Sequence, residues 1–506
     1  PARHWTILFG HHFASIAGAA PIIGPVMACL YWGWLPALIW LVVGGIIFGA
    51  VHDFSALVLS LENRGQSIAA ITESVLGRPV RILFSVFSFL ALILVVAVFA
   101  AAAGKTLATP PAGPKVVIPT FGLIFVAVVI GYLMYHTRAN TLACSIVGLL
   151  LLFGLIWLGN LYPIELPVEN PEKWWTAILL VYGLIASVTP VTLLLQPRDH
   201  LAAGVLFIGM VLGFGGLILT HPEIKAPAFV SFSSREGFLW PMLFVTIACG
   251  AISGFHSLVA SGTTSKQLPR MSDARRIGYG GMIMESALSI LALVSVTAGL
   301  YWMNGPEEEQ NLIYQTFGKQ ANWIGAFGTG YGEITKALLG TTLGTLIGIT
   351  MLKTFVMTTL DSATRITRYI CNELLGDALG IPGMKNKYAA TAVVGALAAP
   401  LALGNWKAIW PVFGASNQLI ASVVLTVVSL YLITRGKKCA FVLIPGFLMV
   451  ITTITALVLQ TRSFLKDENP KYLLASISVL LIILAFFILY RGTISVLRAK
   501  RQLKAS

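Results

Sequence analysis

The stretch GHHFASIAGAAPIIGPVMA, residues 10–28, decides how this chain is read. It is apolar enough to sit in a bilayer, yet it cannot form a straight rod. Small residues run from Ala14 to Ala20. Pro21 then removes a main-chain donor, and its ring disturbs the preceding turn. Gly18 and Gly24 permit unusual dihedrals. Near the bilayer midplane, unwound main chain is tolerated only where it lines a cavity or is covered by protein. A discontinuous helix would offer free N–H groups to an anion and free C=O groups to a cation. The plainer alternative is a kinked helix whose small residues allow close packing.

The rest of the chain supplies the solvent for that segment. Of its 506 residues, 57% are hydrophobic and only 11% charged, and mean hydropathy is +0.84. Such a composition cannot surround one water-facing core. Continuous apolar runs, rather than alternation, make the spans helices. About fourteen are expected, near 10–30, 35–61, 79–104, 118–136, 141–159, 175–196, 200–220, 239–262, 278–302, 337–362, 388–404, 408–434, 439–460 and 471–491.

Lys and Arg gather on one set of alternate loops, among them Arg64, Arg78, Arg81, Arg198, Lys266, Arg435, Lys437 and Lys438. Glu165, Glu169, Glu172 and Glu307, Glu308, Glu309 fall on the other set. The positive-inside rule places both termini in the cytoplasm. The net charge of +14 is therefore topology and lipid contact, not a nucleic-acid surface. Five scattered cysteines give no disulfide framework and read as packed thiols. Ala103-Gly104-Lys105-Thr106 ends like a phosphate loop, but Phe99 stands where the first glycine belongs.

Two further segments resemble the first. TAILLVYGLIASVTPVTLLLQ, 176–196, carries Ser187, Thr189 and Pro190 at expected mid-depth, in the opposite orientation. Five spans separate the two starts, the arithmetic of a five-plus-five inverted repeat. The expected units are 1–160, 174–365, and an additional four-helix segment, 388–497. ACGAISGFHSLVASGTTSKQ, 248–267, is a third polar, glycine-rich stretch. Its Ser253, His256, Ser257 and Ser261 share a helical face and suit a cation or a carboxylate; packing of helices is the competing reading.

Charges inside spans are costly and should face protein or water. They are Asp53, Glu285, Lys353 and Asp361, with His52 and His256 adding groups that titrate near neutrality. His11 and His12 lie at the inner end of the first span. These are the materials of a proton relay. They are also the materials of structural ion pairs, Lys353 with Glu285 or Asp361 for example. The histidines and Asp53 suit zinc chemically, but no fixed ligand spacing supports a metal.

Five segments resemble the carbon starvation protein A family: FGHHFASIAGAAPIIGP at 9–25, GAVHDF at 49–54, CGAISGFHSLVASGTT at 249–264, TTLDSATRITRYI at 358–370 and WKAIWPVFGASNQL at 406–419. The family pattern commonly has Gln before the Asp of the second segment; this chain has His52. The resemblance implies an inner-membrane transporter for peptides, with relatives taking up pyruvate. It also implies an all-α, leucine-transporter-like inverted repeat, without enzymatic activity or cofactor. By position, Gly18, Ala19, Ala20, Pro21, Gly24, Ser187, Thr189, Pro190, Ser253, His256 and Ser257 are expected to bind the cargo. His11, His12, His52, Asp53, Glu285, Lys353 and Asp361 are expected to couple protons or gate. Sodium coupling is the nearest alternative, a histidine-liganded membrane redox protein a more remote one, and a nutrient sensor without transport a third.

Overall fold

The computed structural model of the chain describes residues 5–136, 140–191, 193–320, 322–404 and 406–505. The start of the expected first repeat, residues 1–4, lies outside them. The helices follow the apolar runs and stop where the chemistry changes. Those that frame the bundle and its breaks are α1 (Trp5–Ile16), α2 (Ala20–Trp32), α3 (Trp34–Glu62), α4 (Arg78–Ala108), α5 (Val117–His136), α6 (Thr141–Leu161), α7 (Pro171–Val188), α8 (Leu195–Thr220), α9 (Leu239–Thr246), α10 (Gly254–Val259), α11 (Gly280–Gly299), α12 (Tyr314–Gln320), α13 (Trp323–Ile334), α14 (Thr341–Cys371), α15 (Lys387–Ala402), α16 (Trp406–Thr434), α17 (Ala440–Lys466) and α18 (Tyr472–Ala505). Asn140, Asn322 and Asn386 cap α6, α13 and α15 by accepting main-chain N–H groups.

Among the described residues, ten helices are long and apolar enough to cross a membrane, eleven when α1 and α2 are one bent span. The remaining segments expected to cross are shorter or broken. Helix α7 has 18 residues, α15 has 16, and 239–264 is interrupted.

Helices α4 and α14 form the centre and are buried along almost their whole length. They pack on each other, and α7 packs on both. The hairpin of α5 and α6 leans on α8 at the periphery, and α17 and α18 flank α16. These outer helices expose Phe125, Leu150, Trp157, Ile444, Phe447 and Phe486. An apolar surface of that kind is stable in lipid and not in water.

Two interruptions lie in the interior. Helices α1 and α2 meet at 46° across Ala17–Ala19. The second break is at Ile252 and Ser253, both extended (φ −160°, ψ 132° and φ −138°, ψ 124°), just before α10. The two broken segments cross at Gly24. A Cβ there would lie 2.6 Å from the Thr246 main-chain oxygen, so only glycine lets α2 seat on this segment.

The break expected at Ser187–Pro190 is not one. Helix α7 begins at Pro171, a favoured first position, and is complete by Val188. Thr189 is its C-cap, and Pro190 opens the turn to α8. The Arg365 guanidinium donates to the carbonyls of Ala186 (2.6 Å) and Thr189 (2.5 Å), satisfying orphan acceptors of the last turn. Proline punctuated the end of a helix there, not its middle.

Candidate functional site

The first break is tightly enclosed. A Cβ on Gly18 would sit 3.0 Å from the Phe99 ring of α4 and 3.1 Å from the Thr359 hydroxyl of α14. That hydroxyl is buried and makes no hydrogen bond in the described structure. Ala19, Ala20, Pro21 and Gly24 are buried around the same point.

The second break is held by Asn417 of α16, a residue of the WKAIWPVFGASNQL segment that sequence reasoning did not assign to the site. Its carbonyl accepts the Phe255 N–H (2.8 Å), capping α10, while its amide donates to the Ser253 hydroxyl (2.9 Å). Ser257 donates to the Gly254 carbonyl (2.6 Å) and Ser261 to the Ser257 carbonyl (2.8 Å). The Ser257 hydroxyl therefore serves its own helix, while that of Ser261 also accepts the Ile68 N–H (3.4 Å). Asn417→Leu should leave the buried Phe255 donor unsatisfied and lower stability by about 1–3 kcal/mol. Thermal unfolding in detergent checks this; an unchanged midpoint would show that the cap contributes nothing.

Beside the second break lies a chain of titratable groups. His52 Nδ1–H donates to one oxygen of Asp53 (2.7 Å), and His256 Nδ1–H donates to the other (2.7 Å). An ionised carboxylate only accepts, so each imidazole carries its proton on Nδ1 toward Asp53. His256 Nε2 faces Glu285 at 3.2 Å, within ion-pair distance but off the hydrogen-bond axis. All four side chains are fully buried. A π turn at Gly44–Gly49 immediately precedes His52 and Asp53, and another at Ala260–Thr264 follows α10. Such turns shift helix register, and they recur at functional positions. His12 joins from α1, its Nδ1 2.9 Å from the Thr264 hydroxyl and its ring packed on Gly281.

A second buried cluster binds α1, α7, α8 and α14 together. Arg198 contacts the Asp361 carboxylate and the Tyr182 hydroxyl, and lies 3.4 Å from Asp199. Tyr182 donates to Asp361 (2.8 Å), and His11 pairs with Asp199 (2.8 Å). The sequence placed Arg198 in a loop and did not single out Asp199 or Tyr182. Helix α8 starts at Leu195, earlier than expected, and carries both charges into the bundle.

The expected partners of Lys353 are thus engaged elsewhere, Glu285 with His256 and Asp361 with Arg198. Ser187 is buried at the end of α7, while Thr189 and Pro190 lie at its terminus. Among the described residues no group of three or more His, Cys, Asp or Glu side chains is arranged to hold a metal.

Two cavities approach the core from opposite ends. One, of about 460 Å³, opens at the end bearing Arg78 and Lys266 and is lined by Ser85, Ser88, Leu258, Ser261 and Glu373. The other, of about 350 Å³, lies at the far end between α4, α12, α13 and α14.

The family model described as carbon starvation protein CstA matches residues 1–329 and 307–456. The chain is 32% identical to the pyruvate/proton symporter BtsT of Escherichia coli K12, covering 92% of this chain and 75% of that protein. It is 32% identical to the peptide transporter CstA of the same organism (89% and 73% covered) and 30% identical to that of Bacillus subtilis 168 (97% and 88%). A crystal structure of MhsT in complex with L-phenylalanine superposes with a TM-score of 0.55 at 11% identity, covering 97% of this chain and 98% of that one. A manganese transporter of Eremococcus coleocola superposes at 0.54 with 13% identity, covering 98% and 95%. These likenesses show a leucine-transporter-like fold in a multi-pass membrane protein. With its broken helices crossing at Gly24 and its family segments matched along most of its length, the chain belongs to the carbon starvation protein CstA family.

Proposed function

We propose that this protein is a secondary active transporter of the inner membrane that takes up small peptides or a short carboxylate such as pyruvate, driven by protons. The single observation that carries the coupling is Asp53, buried between two imidazoles with Glu285 beyond one of them, next to the second break. Such a group changes charge only when the surrounding helices let a proton in. Because His52 and Asp53 sit on α3, His256 on α10 and Glu285 on α11, a change of charge alters how those helices prefer to pack. A cargo that binds one packing better than the other then shifts the balance between them. The relatives' names support both cargo classes and, for one of them, the proton.

Both termini are proposed to be cytoplasmic, which makes the larger cavity, at the Arg78 and Lys266 end, the inner one. The cargo would lie between Gly18 and Ser253. Its carboxylate suits the first turn of α2 at Ala20, where main-chain N–H groups precede Pro21. In place of the expected units 1–160 and 174–365, the proposed repeats begin with the two broken segments, at Trp5 and Leu239. The hairpin of α5 and α6 is then a peripheral insertion, and five spans separate the two starts.

Pro21→Ala and His256→Ala should each reduce uptake while leaving the protein folded. His256→Ala removes a charge-assisted hydrogen bond, and about a tenfold loss is expected. Uptake of labelled pyruvate and dialanine into proteoliposomes checks both variants. Wild-type uptake by both would remove these residues from the mechanism.

A further inference from the structure

Lys353 is fully buried on α14, and its ammonium donates to the main-chain carbonyl of Ala103 on α4 (2.6 Å). Among the described residues no carboxylate lies within ion-pair distance of it. Asp53, Glu285, Arg198, Asp199 and Asp361 all face an opposite charge or a protonatable imidazole. A buried cation whose partner is one neutral carbonyl is poorly compensated.

Its place in the bundle says what could compensate it. Thr106 and Ile349 stand one helical turn beyond Ala103 and Lys353, on the same faces of α4 and α14. Both line the far-end cavity, along with Thr345, Asn311, Gln320 and Asn322. That lining contains hydroxyls, amides and apolar groups but no charged side chain. One turn in the other direction, Phe99 closes over Gly18 and the first break. A neutral, polar cavity of about 350 Å³ therefore lies one helical turn from a buried lysine, with the first break one turn to the other side.

We infer that Lys353 is the residue that first recognises the carboxylate of the cargo arriving from the far-end cavity, before it passes to the first turn of α2, the anion taking the place of the Ala103 carbonyl as its acceptor. This rests on the transporter reading and deepens it. Lys353 is then a specificity residue for anionic cargo. A cargo whose carboxylate is converted to an amide leaves the lysine as poorly compensated as before. Discrimination against such a cargo follows from the residue itself.

The test uses the full chain in proteoliposomes with three probes: pyruvate, dialanine and dialanine amide. Wild-type protein should take up the two carboxylates in preference to the amide. Lys353→Met should raise KM for dialanine at least about tenfold and leave the amide unchanged, removing the preference. Ile349→Glu sets a competing carboxylate one turn from the lysine without removing it. It should weaken both carboxylates and spare the amide, so it reports even if Lys353→Met fails to fold. Wild-type preference retained in either folded variant would overturn the inference and leave the transporter reading standing. Uptake of none of the three probes by wild-type protein would overturn the transporter reading and this inference with it.

Discussion

Asp53→Asn should abolish proton-driven accumulation of cargo while leaving cargo-for-cargo exchange measurable. The carboxylate accepts one Nδ1–H from His52 and one from His256, each at 2.7 Å. An asparagine of the same shape keeps one acceptor and turns a donor toward the second imidazole. That imidazole must change tautomer or lose its bond. More important for function, the group that gains and loses charge is gone, and His256 keeps only Glu285 as an acidic neighbour. Exchange requires the helices to move with cargo bound, but it requires no net proton movement. Accumulation by the variant under an imposed pH gradient should therefore fall to passive equilibration, while counterflow persists. Undiminished accumulation would show that the proton passes elsewhere.

The other large effect is on stability. Arg198→Leu should destabilise the protein by about 3–5 kcal/mol, because it leaves Asp361 and Asp199 buried without their cation. His11 still faces Asp199, so Asp361 is the more exposed to the loss. The double variant Arg198→Leu with Asp361→Leu should recover much of the difference, since replacing both partners removes the uncompensated charge. Thermal unfolding in detergent reads both. Equal midpoints for wild type and Arg198→Leu would mean that the cluster is relaxed by water and does not hold α1, α7, α8 and α14 together.

Much of the fold was legible because lipid imposes a severe rule. Apolar runs must be helices, and the GAAPIIGP pattern at 18–25 cannot remain one unbroken helix. The same punctuation misled at Ser187–Pro190, because proline marks a helix end as readily as a break. Only the start at Pro171 shows that α7 is already complete. The second break, at Ile252 and Ser253, has no proline at all. It depends on Asn417, 164 residues away from Ser253, which holds the freed main chain and the serine hydroxyl. No local pattern could show that.

The titratable residues were legible for a different reason. A charge inside an apolar run is conspicuous, and Asp53, Glu285, Lys353 and Asp361 stood out as such. Their pairing did not. Helices that are apolar all round carry no periodicity to say which face meets which neighbour. Hence Lys353 read as a partner for Glu285 or Asp361, whereas Asp361 belongs with Arg198. Arg198 itself was hidden, because a helix beginning five residues before its apolar run looks like loop sequence.

Proton coupling stands or falls on one measurement with purified wild-type protein: uptake of labelled pyruvate and dialanine into proteoliposomes under an imposed proton or sodium gradient. It predicts accumulation above equilibrium when the lumen is alkaline, lost on adding a protonophore and indifferent to sodium. Accumulation that follows sodium and ignores pH, or none with either cargo, would contradict it.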